Sequence, residues 1–170
     1  YGDAAFRALA GHAEALGGGA YGLEAMNVLR IEKGFVTHSE IDGRVTADDL
    51  GLGRMLRPGG GFIGAEMAVR PAFTAPGRAQ LVGLRPREPG AALAAGGHLF
   101  VPDAALNPDN DLGRVTSACH SPTLGGALAL ALLADGRARH GQTVRLWDGL
   151  RGTDQLCEVT SPLFHDPEGG

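Results

Sequence analysis

The second half of the chain is divided into short apolar segments, and this pattern constrains the fold more than any other feature. From residue 79 onward, turn residues separate six such segments at near-regular intervals. The segments are 79–86, 98–102, 113–120, 127–134, 142–149 and 156–162. Because no helix is predicted between them, they indicate a small antiparallel Greek-key barrel or sandwich, of which we favour the six-stranded barrel.

The first part of the chain begins with helical periodicity. Apolar residues recur at helical spacing over 4–16, which end at three glycines, and again over about 22–33, which end at Gly34. A third short helix is predicted over 62–70, and the segment 46–49 is typical of either a capping box or a turn.

A change of character around residues 73–78 predicts a domain boundary. We expect residues 79–170 to form the small β-barrel domain and residues 1–78 to form a separate region that begins with helices. The predicted fold class is therefore α+β. The chain begins at Tyr1, within a predicted helix, and so we expect it to be the C-terminal piece of a longer polypeptide.

Composition and charge argue against several classes of protein. With 15 basic and 19 acidic residues, the net charge of −4 gives no general attraction to nucleic acid or to anionic membranes. The longest apolar run, 126–134, is far shorter than the roughly 20 residues that span a bilayer, so we expect a soluble chain. Cys119 and Cys157 form no CxxC pair, which favours free, packed thiols and a cytoplasmic location.

Three further patterns are better explained by structure than by chemistry. Residues 59–64 satisfy GxGxxG, but they follow Arg-Pro rather than a strand, which favours a loop over a dinucleotide site. The histidines lack the spacing of a metal site, and His38 near Glu40 is typical of a solvated loop. Cys119 and His120 lack a base and an oxyanion hole in the sequence, so we expect them to be structural.

Glu32 is the residue that calls for an explanation, because it lies on the apolar face of the second predicted helix. At 100° per residue it falls between Val28 and Leu29 and above Ala25. A buried carboxylate needs donors, since burial otherwise favours its neutral form. Either an arginine or backbone N–H groups donate to Glu32, or the flat edge of a heterocycle such as a pterin does.

Four motifs in the same order resemble the C-terminal part of heterotetrameric sarcosine oxidase alpha subunits and, more loosely, the glycine-cleavage aminomethyltransferases. The motifs are LRIEKG (29–34), TADDLGLG (46–53), VTSACHSPTLG (115–125) and SPLFHDPEGG (161–170). The resemblance covers the chain from about Tyr21 to its end. It implies an αβ-plus-barrel fold in which residues 1–78 are the C-terminal part of an αβ folate-binding domain. It also implies a tetrahydrofolate-binding region in which Glu32 contacts the pterin ring.

The same resemblance implies further properties of the intact protein. An arginine of the aminomethyltransferases has Arg57 as its nearest substitute here, whereas no role is transferred to His38, Ser39 or Glu40, which depart from the family triplet. FAD, FMN and NAD are expected to bind outside this chain, and beta, gamma and delta subunits are the expected partners. Because part of the folate site is expected upstream, the chain alone should be inactive.

Three functions remain open at this point. The first is the folate-binding region of a sarcosine oxidase alpha subunit, which transfers the one-carbon unit of sarcosine to tetrahydrofolate. The second is a stand-alone, flavin-free aminomethyltransferase. The third is a non-catalytic docking module for partner subunits, which an exposed apolar surface on 127–134 would favour.

Overall fold

A computed structural model describes residues 1–168, which contain four helices, three short 3-10 turns and six strands. The helices are Gly2–Ala15 (α1), Leu23–Glu32 (α2), Ala65–Ala68 (α3) and Pro71–Thr74 (α4). The strands are Ala79–Pro86 (β1), His98–Phe100 (β2), Gly113–Ser121 (β3), Gly126–Ala134 (β4), Thr143–Asp148 (β5) and Thr153–Thr160 (β6). The last two residues of the predicted barrel domain and of the terminal motif lie outside the described residues.

The six strands form a closed antiparallel barrel, which confirms the predicted fold class. Their order around the barrel is β1-β4-β3-β2-β5-β6. The pairs β2-β3, β3-β4 and β5-β6 join strands that follow one another along the chain, whereas β1 pairs with β4 and β6. Because every strand has two neighbours, the sheet has no free edge.

Strand β4 explains why this segment reads as a continuous apolar run. Its alternate residues Ala129, Ala131 and Leu133 belong to the core inside the barrel. The leucines that alternate with them point to the outer face of the barrel. There they pack in a second core with Ile31 of α2 and with Leu50; these leucines are Leu128, Leu130 and Leu132. Both faces of β4 are therefore buried, and the exposed apolar surface that would favour a docking module is not found on this strand.

The predicted helix over 62–70 is wrong in its bounds. The helical part is only α3, four residues long, and it starts after Gly64, whose φ of 91° lies in the left-handed region and ends the preceding turn. Pro71 does not close that helix but opens α4, where a proline is tolerated at the first turn. The glycine-rich stretch 59–64 is a loop, as predicted.

The segment 46–49 combines the two structures that the sequence left open. The Thr46 N–H donates to Asp49 Oδ2 at 2.8 Å and the Asp49 N–H donates to Thr46 Oγ1 at 3.2 Å, which are reciprocal capping-box bonds within a turn. Arg78, just before β1, forms a further ion pair with the buried Asp49. The loop 46–49 is thereby fixed to the start of β1. The domain boundary at residue 78 remains a prediction.

Helix α1 differs from α2 in that it buries none of its residues. Phe6 is 60% exposed and Leu9 is 71% exposed, although both lie on the apolar stripe predicted from the sequence. Helix α2 instead packs against β3 and β4. The helix that carries Glu32 is therefore the one held on the barrel wall.

Candidate functional site

Glu32 is the last residue of α2 and its side chain is only 3% exposed. Its carboxylate faces the end of β3, where the Ser121 hydroxyl donates to Oε1. The Thr123 hydroxyl donates to Oε2 at 3.3 Å. The donors are thus two neutral hydroxyls, and neither the arginine nor the backbone N–H groups considered from the sequence reach this carboxylate among residues 1–168.

Ser121 itself is held from a second direction. The N–H of Leu124 donates to the Ser121 hydroxyl oxygen at 2.9 Å, and the residue is fully buried. A serine hydroxyl carries one proton, and an N–H that donates to its oxygen occupies an acceptor position. The Ser121 proton is therefore available to Glu32.

The backbone at Glu32 is fixed by the C-terminal segment, residues 161–166. The N–H groups of Phe164 and His165 both donate to the Glu32 carbonyl oxygen at 3.0 Å. Next to it, Lys33 Nζ lies 2.6 Å from Asp166 Oδ2. The two N–H groups therefore donate to a backbone carbonyl at the end of α2 that would otherwise lack a hydrogen-bond donor.

Gly34 allows the C-terminal segment to come this close. Its φ of 71° is left-handed, and a Cβ at this position would lie 2.6 Å from the Pro162 carbonyl oxygen. Only glycine satisfies both the backbone angle and the contact. The predicted helix stop is confirmed, and the structure adds the reason for the residue type.

A second buried carboxylate, Glu40, follows α2 in the chain and pairs with Arg30 of that helix. Glu40 is fully buried and its Oε2 lies 3.0 Å from Arg30 Nη1, while Oε1 accepts from the Ser117 hydroxyl at 2.5 Å. Burial by itself would raise the pKa of Glu40. Hydrogen bonds, first from Ser117 and then from the Thr37 backbone, outweigh burial and, with the charge of Arg30, hold the pKa below its ordinary value.

A β-bulge in β3 brings these partners to the same face. Val115 pairs with Ala131 and Ser117 with Leu130, so that Thr116 is an extra residue in the strand. Val115 lies in the core inside the barrel, whereas Ser117 bonds to residues outside it. The bulge therefore turns alternate residues of the rest of β3 toward α2, namely Ser117, Cys119 and Ser121.

Sequence reasoning identified Glu32 but missed Ser121, Thr123 and the Glu40 network. The motif at 115–125 contains both hydroxyl residues, and this was the available signal. Their separation from Glu32 along the chain, and the bulge that orients Ser121, hid the contact. The prediction of a solvated loop at His38 and Glu40 is wrong for Glu40, which is fully buried and accepts from Ser117 and Arg30, whereas His38 is exposed.

Arg57 does not join this cluster through any contact recorded for residues 1–168. Its side chain is exposed in the loop after the 3-10 turn Gly53–Met55, and its carbonyl oxygen accepts a bond from Gly60. A folate contact by Arg57 stays a prediction. A cavity of about 440 Å³ lies nearby between loop 43–48 and the helices α3 and α4, and Glu32 does not line it.

The thiols are placed as structural groups. Cys157 is fully buried, and burial raises its pKa to about 12. Burial, followed by the charge of Glu32, raises the pKa of Cys119 to about 11. Both cysteines are free, and neither is activated as a nucleophile.

Residues 1–168 provide neither a cluster of metal ligands nor a helix that could span a membrane. In residues 1–168, no group of three or more His, Cys, Asp or Glu side chains is arranged to hold a metal ion. None of the helices formed by those residues has the length and apolar character required to cross a membrane.

The fold and the cluster define a class of protein: a six-stranded barrel with a helix on its outer wall that buries a carboxylate against the β3–β4 turn. The glycine cleavage T-protein C-terminal barrel domain matches residues 80–166, just over half of the chain. The chain belongs to this family, as the sequence motifs predicted.

Relatives of two kinds are similar to the chain. "Sarcosine oxidase subunit alpha" of Rhizobium meliloti (strain 1021) is 45% identical over 149 residues, covering 87% of this chain and 15% of that relative. The protein of the same name from Corynebacterium sp. (strain P-1) is 35% identical, covering 88% and 16%. A "Probable aminomethyltransferase" of Halobacterium salinarum (strain ATCC 29341 / DSM 671 / R1) is 32% identical, covering 85% and 38%.

A solved structure agrees with the fold. The aminomethyltransferase T of the glycine cleavage system from Bartonella henselae superposes with a TM-score of 0.67 at 25% sequence identity. The match covers 82% of this chain and 38% of that one. The chain therefore corresponds to the C-terminal region of these enzymes and spans only about 15% of the sarcosine oxidase relatives.

Proposed function

We propose that this chain is the tetrahydrofolate-binding C-terminal region of a sarcosine oxidase alpha subunit, and that Glu32 accepts hydrogen bonds from the pterin. The single observation that carries the proposal is the buried Glu32 carboxylate, whose donors among residues 1–168 are both neutral hydroxyls. Its counterpart Glu40 has an arginine and a backbone N–H. Glu32 thus retains capacity for a further, charge-assisted bond.

The donor set fits a pterin edge, since a flat N–H edge can pair with a carboxylate that carries no cation of its own. Folate supplies the acceptor for a one-carbon unit when it is bound. In the proposed reaction, sarcosine loses two electrons and two protons to a flavin, and the imine carbon passes to folate with release of glycine. This chain contributes binding and orientation, and FAD, FMN, NAD and the partner subunits belong to the proposed intact enzyme.

The first test is the substitution Glu32→Gln in the full-length subunit, purified with its partner subunits. The variant keeps the shape of the side chain but weakens a charge-assisted acceptor. We expect the affinity for tetrahydrofolate to fall by about 1–3 kcal/mol, or about 5- to 150-fold in Kd. Titration calorimetry measures this change directly.

The matched control is Glu24→Gln, which removes the same charge from an exposed position on the same helix. Its Kd for tetrahydrofolate should remain that of the unmodified complex. If Glu32→Gln gave the same Kd as this control in a folded complex, Glu32 would be a structural carboxylate and the folate role would be abandoned.

The second candidate is a flavin-free aminomethyltransferase, which the 32% identity to the Halobacterium relative favours. The absorbance spectrum of the full-length protein separates the two. A yellow, multi-subunit complex that consumes oxygen with sarcosine supports the oxidase. A colourless single chain that binds tetrahydrofolate supports the aminomethyltransferase and contradicts the oxidase.

A further inference from the structure

We propose that Ser121 is a positioning residue that orients Glu32 for its ligand, and that Thr123 is a temporary donor that a bound pterin edge replaces. The inference rests on the proposed function and deepens it, because it assigns the two carboxylate oxygens different tasks. Oε1 is held by the protein, whereas Oε2 is the atom offered to the ligand.

Ser121 suits a positioning role because its hydroxyl group cannot rotate freely. It is fully buried, its oxygen accepts from the Leu124 N–H at 2.9 Å, and its proton goes to Glu32 Oε1. A hydroxyl fixed on both sides in a dry environment rotates only if both bonds break. Ser121 therefore sets the plane of the carboxylate.

Thr123, in contrast to Ser121, is free to give up its bond to Glu32. Thr123 is an exposed residue, and the hydrogen bond from its hydroxyl to Glu32 Oε2 is long, at 3.3 Å. Water can replace this bond when the threonine rotates outward, so its loss costs little. Because Glu32 is only 3% exposed, a ligand donor must exchange with one of the existing partners, and Thr123 is the one that can leave.

Both residues lie on the connection between β3 and β4, so that one hairpin carries the fixed and the exchangeable donor. Ser121 ends β3, and β4 starts at Gly126. The hydrogen bond from the Leu124 N–H to the Ser121 hydroxyl oxygen holds this connection against the end of β3. The β3–β4 hairpin on the outer wall of the barrel therefore supplies both donors to the Glu32 carboxylate on α2.

The test compares Ser121→Ala and Thr123→Val in the full-length protein with its partner subunits, with tetrahydrofolate binding followed by titration calorimetry. We expect Ser121→Ala to weaken binding by about 10-fold, since the carboxylate loses its fixed plane. Thr123→Val, of matched size, should keep Kd within about 2-fold or lower it. Equal losses in both variants would overturn the exchange of Thr123.

A double-mutant cycle with Glu32→Gln distinguishes positioning from a general effect on folding. If Ser121 acts through Glu32, adding Ser121→Ala to Glu32→Gln should weaken binding much less than 10-fold, because the amide oxygen is a weaker acceptor whose orientation matters less than that of the carboxylate. The same 10-fold loss in both backgrounds would overturn the inference while Glu32 kept its proposed role. No effect of Glu32→Gln itself would overturn the proposed function and the inference together.

Ser121→Cys guards against a poorly folded alanine variant. It is nearly the same size and keeps a weak S–H donor, so its Kd should lie between those of serine and alanine. Thermal unfolding of each variant accompanies the titration. An alanine variant that melts like the unmodified protein and binds tetrahydrofolate as tightly as the unmodified protein does would contradict the positioning role.

Discussion

At the residue scale, two carboxylates are buried within the same interface by different means. Glu40 has a cation, a hydroxyl and a backbone N–H, and is saturated by the protein. Within the part of the chain that the structure describes, Glu32 has two hydroxyl donors and no cation. A buried pair stabilises its ionised form, whereas an incompletely paired carboxylate is available to a ligand.

The lowered pKa of Glu40 makes a prediction about stability and pH. Because the folded carboxyl holds its proton less tightly than the unfolded one, the contribution of Glu40 is fully present above the ordinary glutamate pKa and is lost as the pH falls through the folded pKa. Glu40→Gln should therefore lower stability by about 1–3 kcal/mol at neutral pH.

The difference between Glu40→Gln and the unmodified protein should shrink in acid. Amide hydrogen exchange in α2, measured by mass spectrometry from pH 7 downward, follows this difference. A gap that stayed constant across the acid range would mean that the pKa of Glu40 is the same in the folded and unfolded chain.

How far a site can be predicted from sequence is visible at these residues. Glu32 stood out because helical periodicity placed a charge on an apolar face. Ser121 did not, since it lies 89 residues further along the chain and a bulge decides where it points. Long-range contacts and bulges depend on packing, which a local pattern does not contain.

At the scale of elements, burial separates two segments that look equally apolar. Leu130 in β4 is fully buried between the barrel and α2, whereas Leu9 in α1 is 71% exposed. Leu130→Ala should therefore lower the free energy of unfolding of the 170-residue chain by about 2–5 kcal/mol. Leu9→Ala should change it by less than about 0.5 kcal/mol.

Urea unfolding of both variants measures these two values. The pair is matched in chemistry, so any difference reports burial rather than side-chain type. A Leu9→Ala variant destabilised as much as Leu130→Ala would mean that α1 is packed against the rest of the chain.

The strands were predictable because turn residues bound each of them, and all six are found within a few residues of the predicted ends. The helix over 62–70 was not, because Gly64 and Pro71 act as start signals there rather than as interior and stop residues. Glycine and proline fix backbone angles, but the neighbouring chain decides on which side of them a helix forms.

At the scale of the whole molecule, the C-terminal segment 161–166 fastens α2 to the barrel. It donates two backbone bonds to the Glu32 carbonyl and pairs Asp166 with Lys33. Deleting residues 161–170 should increase hydrogen exchange at the end of α2 while the β4 amides stay protected, because β4 is held by its own neighbours.

Lys33→Ala is the milder comparison for this deletion, since it removes only the ion pair with the Asp166 carboxylate and the hydrogen bond to the Asp166 carbonyl oxygen. It should raise exchange in α2 less than the deletion does. Equal protection of α2 in the truncated and complete chains would show that packing on β3 and β4 alone holds the helix.

The pairing of β1 has a consequence for how the chain is made. Ala79 pairs with Ala134 and Gly83 pairs with Thr160, so β1 leaves the ribosome long before either of its neighbours exists. The barrel closes only after β6 has been synthesised; β1 has two open edges until β4 emerges and one open edge until β6 emerges. Nascent chains stalled before residue 153 should therefore recruit chaperones, whereas those stalled well beyond residue 160 should not.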